Sequence, residues 1–219
     1  MTHTSTAIIM RTWEYGESDL LVSFFTPDQG SLKGVAKGAR KSRKRFSNCL
    51  DLLCVSRLEY DKRPGRDLCF LHSGKLIRVF PALRSDFASL ALASYMLELT
   101  EVLFPIGVVE ERMFHLLSYL MDAIEGGTEV RQVRIQFEAR ALALAGYGIN
   151  VSRCCVCGRS YVGEGRAVFR QQSGGISCLR CGKETAYSPG LDPDSVRLLK
   201  SLQTRPCTEA MAVKFQEKA

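Results

Sequence analysis

Hydrophobic and polar positions alternate in two registers along the chain, and the change falls near residue 80. Before it, short apolar runs separated by turn residues predict five strands. "TAIIMRTW" is the first, followed by the turn "YGES". "DLLVSFFT" is apolar on both faces, as a strand of a small closed barrel is. "PDQG" turns the chain into "SLKGVA". "LDLLCVSRLEY" is the longest strand candidate, with Leu52, Cys54, Ser56 and Leu58 on one face. "DKRPG" turns it again, and "RDLCFLHSGKLIRVF" supplies the fifth strand. Five strands in this span fit an oligonucleotide/oligosaccharide-binding (OB) barrel or an SH3-like barrel, and the strand pattern alone leaves both open.

From Pro81 onward the spacing becomes helical. Over residues 83–104 it sets Phe87, Leu90, Ala91, Ser94, Leu97 and Glu98 on one predicted face, ended by Pro105 and Gly107. "VVEERMFHLLSYLMDAIEGG" predicts a second helix, stopped by Gly126 and Gly127. "TEVRQVRIQFEARALALAGYG" predicts a third, with Thr128 as candidate N-cap. A cysteine-bearing segment, 151–187, follows. "SPGLDPDSVRLLKSLQ" then opens a late helix capped by Asp192 or Asp194. The expected organisation is α+β: a barrel domain over 1–80 and a helical domain over 81–219, with a small module inserted at 151–187.

Charge sharpens this picture at one place. The chain of 219 residues carries a formal net charge of +7. Lys37, Arg40, Lys41, Arg43, Lys44 and Arg45 lie in one stretch without a carboxylate, between two predicted strands. So local an excess predicts a polyanionic partner, nucleic acid before an anionic membrane. Gly and Ser within the run suggest a segment able to flex along a phosphate backbone. Phe46, Trp13 and Tyr15 are candidate stacking groups, although a tryptophan there is more often barrel core. With most of these cations on phosphates, log K should fall with log[salt] at a slope of roughly −3 to −5. No apolar run is long enough to span a bilayer, and the N-terminus has no secretory pattern, so a cytoplasmic protein is expected.

The chain has 9 cysteines. Cys154-x2-Cys157 and Cys178-x2-Cys181 have the spacing of two knuckles that present thiolates to one tetrahedral Zn²⁺, with Gly158 and Gly182 placed to close them. Four thiolates fill the coordination shell, so this one ion is expected to be structural. "AVFRQQSGGISC" reads as the hairpin between the knuckles, turning at Gly174-Gly175. Cys155 is expected not to ligate, and Cys49, Cys54, Cys69 and Cys207 to be reduced thiols. His3, His72 and His115 form no catalytic cluster. A phosphate-binding loop and a nucleophile elbow are both missing, so neither an enzyme nor a nucleotide cofactor is expected.

In this order the pieces resemble the bacterial RecO family of recombination mediators. The resemblance rests on "RTWEYGESDLLVSFFTPDQGSLKGVAKGARKSRKRF", on "FPALRSDF", and on the helical segment carrying the cysteines. It implies an OB barrel, then a helical domain with an inserted four-cysteine zinc module. It further implies a non-enzymatic repair factor that binds single- and double-stranded DNA and anneals complementary strands. With RecR, such a factor helps load RecA onto DNA coated by single-strand-binding protein. By that likeness Lys37 to Arg45 would meet DNA, and Cys154, Cys157, Cys178 and Cys181 would hold the zinc. Family members usually continue into a longer basic C-terminal helix, whereas this sequence ends at "VKFQEKA". The main alternative is a sequence-specific zinc-ribbon transcription regulator; an OB-fold enzyme acting on nucleic acid is a second.

Overall fold

The computed structural model describes residues 2–62, 65 and 67–207. The turn expected at "DKRPG" and the terminal "VKFQEKA" fall partly or wholly outside these. The described chain divides into two compact units, one up to Phe137 and one from Glu138.

In the first unit, β1 (Thr2–Tyr15), β2 (Asp19–Thr26), β3 (Gly30–Ala36), β4 (Val55–Asp61) and β5 (Leu68–Arg78) close a barrel in the order β1-β2-β3-β5-β4. The β3–β5 pair is parallel and the other pairs are antiparallel. That order decides for the OB topology over the SH3-like one. β1 serves two neighbours because its register shifts between Ile9 and Arg11. Its first half pairs with β4 and its second half mainly with β2.

Alternation fills the barrel with Ile9, Val22, Phe24, Leu32, Leu58, Tyr60 and Leu71. The outward residues Ile8 and Phe25 are buried too, and Phe25 meets Phe104 edge-on at 6.5 Å. This explains a strand that is apolar on both faces: one face lines the barrel and the other lies under a helix.

The strand expected from Leu50 starts only at Val55. Buried Leu53 takes a left-handed conformation (φ 66°), and Leu52 is exposed. Leu50 and Cys54 belong to the barrel core, so this run is apolar because it plugs the barrel end.

The helices are α1 (Pro81–Ser85), α2 (Phe87–Leu103), α3 (Glu111–Glu125) and α4 (Val130–Leu144), the last containing the division between units. Extended backbone at Asp86 interrupts the single helix expected over 83–104. Its carboxylate accepts the Ser89 N–H at 2.8 Å and caps α2. The buried face of α2 is Ser89, Leu92, Ala93, Met96, Leu97 and Thr100. Of the face predicted from spacing only Leu97 is fully buried, and Phe87 is 86% exposed. Thr128 does not cap α4. The Glu129 carboxylate does so, accepting from Arg131 N and Gln132 N at 2.9 and 3.0 Å.

The second unit holds a four-stranded sheet in the order β6-β8-β7-β9: β6 (Asn150–Cys154), β7 (Ala167–Arg170), β8 (Gly175–Cys178) and β9 (Gly190–Leu191). α5 (Pro193–Thr204) follows, capped by Asp192, which accepts the Ser195 N–H at 2.8 Å. The β7–β8 hairpin turns through Gln171–Ser173 and a left-handed Gly174. One buried cluster of this unit is small, Val151, Ala167, Ile176 and Val196, with Val168 and Leu202 also buried.

Candidate nucleic-acid interface and metal centre

The connection from β3 to β4 carries the cationic run across one end of the barrel. Lys37, Arg40, Lys41, Arg43, Lys44 and Arg45 are all exposed. The backbone between them is anchored. Ala39, Phe46, Cys49 and Leu50 enter the barrel core, and Ala39–Lys41 forms a 3-10 turn. Arg40 N donates to Ser18 O at 3.0 Å, and Gly74 N donates to Arg45 O at 2.7 Å. The flexing loop expected from composition is therefore a fixed cap. Phe46 is a core residue, only 5% exposed, and is removed from the stacking candidates.

Anchoring divides the cations by task. The Arg40 guanidinium pairs with Glu14 at 3.1 Å. Arg45 donates to the Lys37 carbonyl at 2.7 Å. Lys41, Arg43 and Lys44 have no ion pair among the described residues and face solvent. Lys44 and Arg45 also line an open groove of about 600 Å³, shared with Arg57 on β4 and Lys75 on β5. Arg57 and Lys75 stand directly opposite each other across the β4–β5 pair. Like charges directly opposite each other are destabilising, and the groove also holds the Glu59 carboxylate. Sequence reading missed both, because they are isolated cations on strands; only the register brings them beside the basic run.

The structure also gathers Cys154, Cys157, Cys178 and Cys181, with all four sulfurs within 4.8 Å of one another. The Cys157 and Cys178 sulfurs are 3.9 Å apart. A tetrahedron with Zn–S near 2.3 Å has S···S edges of about 3.8 Å, so the cluster fits such an ion. Each knuckle is a tight turn: Gly158 N donates to Cys154 O at 3.0 Å, and Gly182 N to Cys178 O at 3.1 Å. Gly158 has the expected positive φ of 73°, but Gly182 does not. Glycine is needed at 182 for space, because a Cβ there would lie 2.5 Å from Ser177 Oγ. Cys155 is exposed and outside the cluster.

The thiols are unequal. Burial pushes Cys154 up, but the N–H groups of Cys157, Cys178 and Val156 outweigh it and bring it down to about 6. Hydrogen bonding with Cys181 lowers Cys178. The Cys178 and Cys157 sulfurs in turn push Cys181 up to about 12. Metal ligation is the arrangement in which all four lose their protons together.

A closed OB barrel with a cationic cap, then helices and two knuckles whose four clustered cysteines could hold a metal ion, defines a class of two-part barrel proteins. Among the described residues no helix is long and apolar enough to cross a membrane. Residues 1–80 match the family model described as recombination protein O N terminal, and 84–219 match recombination protein O C terminal. The DNA repair protein RecO of Syntrophus aciditrophicus (strain SB) is 36% identical over 206 residues, covering 92% of this chain and 77% of that one. That of Geobacter sulfurreducens is 34% identical over 194 residues, 88% of this chain and 77% of its own. That of Desulfatibacillum aliphaticivorans is 34% identical over 221 residues, 99% and 85% respectively. The chain belongs to the RecO family of DNA repair proteins.

Proposed function

We propose that this chain is a non-catalytic recombination mediator. In this reading it binds single- and double-stranded DNA and anneals complementary strands. With RecR it helps load RecA onto DNA coated by single-strand-binding protein, in the cytoplasm at the nucleoid. The observation that carries the reading is the anchored cationic cap, continuous with the Arg57–Lys75 groove. Two polyanions approach each other only when their charge is screened. Exposed Lys37, Lys41, Arg43 and Lys44, with Arg40 and Arg45 beside them, screen phosphates without reading bases. The barrel domain, 1–80, would carry this contact.

One Zn²⁺ held by Cys154, Cys157, Cys178 and Cys181 would be structural. It would staple a module whose own core is too small to hold it.

The test is annealing of two complementary DNA strands coated with single-strand-binding protein, with and without the chain, in the absence of ATP. Acceleration that disappears when Lys41, Arg43 and Lys44 are neutralised supports the reading. Tight binding to one duplex sequence with no acceleration would replace it with the zinc-ribbon regulator.

A further inference from the structure

Away from the cationic cap, one cleft of the first unit has the opposite character. It opens between the C-terminal end of α2 and the wall formed by β2 and β3, with a volume of about 450 Å³. Ser23, Ser31, Lys33, Asp67, Glu101 and Ile106 line it. Its walls are held in place. Ser31 Oγ donates to Phe104 O at 2.6 Å, and Ser23 Oγ donates to Glu101 Oε1 at 2.5 Å. Beyond Phe104 the connection to α3 lies against the β2–β3 turn. A Cβ on Gly30, whose φ is 66°, would fall 2.0 Å from Val108 O, so only glycine allows that approach.

The charge in the cleft is negative. Asp67 and Glu101 have no ion pair among the described residues. Among the described lining residues Lys33 is the one cation, and its Nζ is turned to Trp13, 6.0 Å from the ring centre. Glu101 also stands in the last turn of α2, which carries no basic residue. A carboxylate there meets the negative end of the helix dipole, an unfavourable placement unless a cation offsets it. Glu98, one turn earlier, has its cation in Arg11 at 2.9 Å. Around the carboxylates the surface is apolar. Val102 follows Glu101 and is 74% exposed, Leu68 follows Asp67 and is exposed, and so are Ile106 and Val109 beyond the helix.

We propose that this cleft is a docking site for a protein segment that sets one lysine or arginine among apolar side chains. Charge complementarity carries the choice. A nucleic acid or an anionic bilayer would bring phosphates up to unpaired carboxylates. A wholly apolar partner would strip water from Glu101 and leave it buried without a counter-charge. A basic segment without apolar flanks would leave Val102 and Ile106 in water. A cation between apolar residues meets both needs: its head reaches Glu101 and Asp67, its stem lies along Ile106, and its neighbours cover Leu68 and Val102. Because the walls are already fixed, docking orders only the arriving segment. The inference goes beyond the DNA contact and does not depend on it, since cap and cleft carry opposite charge.

The test pans the full chain with a displayed library of random nonapeptides and subtracts those that also bind the Glu101→Gln chain. That variant keeps an acceptor for Ser23 and removes only the charge. The surviving peptides should carry a Lys or Arg flanked by Leu, Ile, Val or Phe. Synthesised and titrated by fluorescence anisotropy, they should bind Glu101→Gln about tenfold or more weakly. Asp67→Asn, at the exposed rim, should weaken them about 2- to 5-fold. Ile106→Ser should weaken them too, with the melting temperature of all three variants at the parent value. Survivors without a cation, or no survivors at all, overturn the proposal. If sedimentation shows a dimer of the parent chain that Glu101→Gln dissolves, the occupant is a second copy and the foreign segment is overturned. Failure of the parent chain to bind DNA would remove the cationic-cap reading and leave the cleft as proposed.

Discussion

Neutralising Lys41, Arg43 and Lys44, three of the cap cations without an ion pair among the described residues, is the most direct probe of the proposed DNA contact. Lys41, Arg43 and Lys44 have no ion pair among the described residues, whereas Arg40 is tied to Glu14 and Arg45 to a carbonyl. Each cation that neutralises a phosphate on a single strand contributes about 0.7 to the slope of log K against log[salt]. The triple change Lys41→Gln, Arg43→Gln, Lys44→Gln should therefore flatten that slope by about 2 and weaken binding about 100-fold at roughly 0.1 M salt. The assay is fluorescence anisotropy of a labelled single strand between about 50 and 200 mM salt, beside a thermal melt of each protein. Because these side chains face solvent, the melting temperature should not move. Arg40→Gln alone should change the slope less than any one of the three, since Glu14 already offsets its charge. An unchanged slope in the triple variant, with folding intact, would show the cap to be solvated charge with no phosphate on it.

Three further outcomes follow from the geometry. A Cβ on Gly74 would lie 2.7 Å from Cys49 Sγ and 3.0 Å from Leu58 Cδ2, so Gly74→Ala should cost about 1–3 kcal/mol in urea unfolding; a variant as stable as the parent would disprove the tight plug. Loading one Zn²⁺ at about pH 7 should release fewer than four protons, because backbone N–H groups hold Cys154 below the usual thiol range while the neighbouring sulfurs push Cys181 above it. Four protons released, counted by titration of a weakly buffered sample, would contradict that division. Hydrogen bonds from the Ser89 side chain and N–H hold the Asp86 carboxyl below the usual aspartate range. Its folded value lies under its unfolded one, so the cap stabilises fully above about pH 4 and is lost as pH falls through the folded value. The melting deficit of Asp86→Ala should accordingly shrink on acidification, while Asp86→Asn should keep the cap and lose the pH dependence.

What the sequence disclosed follows how local each signal is. The bounds of β2, the β7–β8 hairpin and the four-cysteine cluster rest on neighbouring residues and spacing, and all were legible. The start of β4 was not, because an apolar run that plugs a barrel end has the composition of a strand. The buried face of α2 was misplaced for a related reason. "LALA" and its neighbours are apolar around most of the helix, so periodicity cannot fix its phase. The cap of α4 went to Thr128 on residue preference, while the acceptor that reaches the first turn is the longer side chain of Glu129. Arg57 and Lys75 depended on pairing between strands that no single segment records. In the basic run, six charges dominate the composition and mask the apolar residues interleaved with them. Ala39, Phe46, Cys49 and Leu50 decide that the segment is folded.

That folding has a thermodynamic consequence. A disordered cationic arm surrenders roughly 1–2 kcal/mol of backbone entropy per residue when a ligand orders it. In this barrel the loss is incurred once, when Phe46 and its neighbours enter the core. On the proposed reading, a polyanion would then meet a backbone already set, with only side-chain rotamers left to be fixed. Association would be left to diffusion in the field of the cations, with no folding step between encounter and complex.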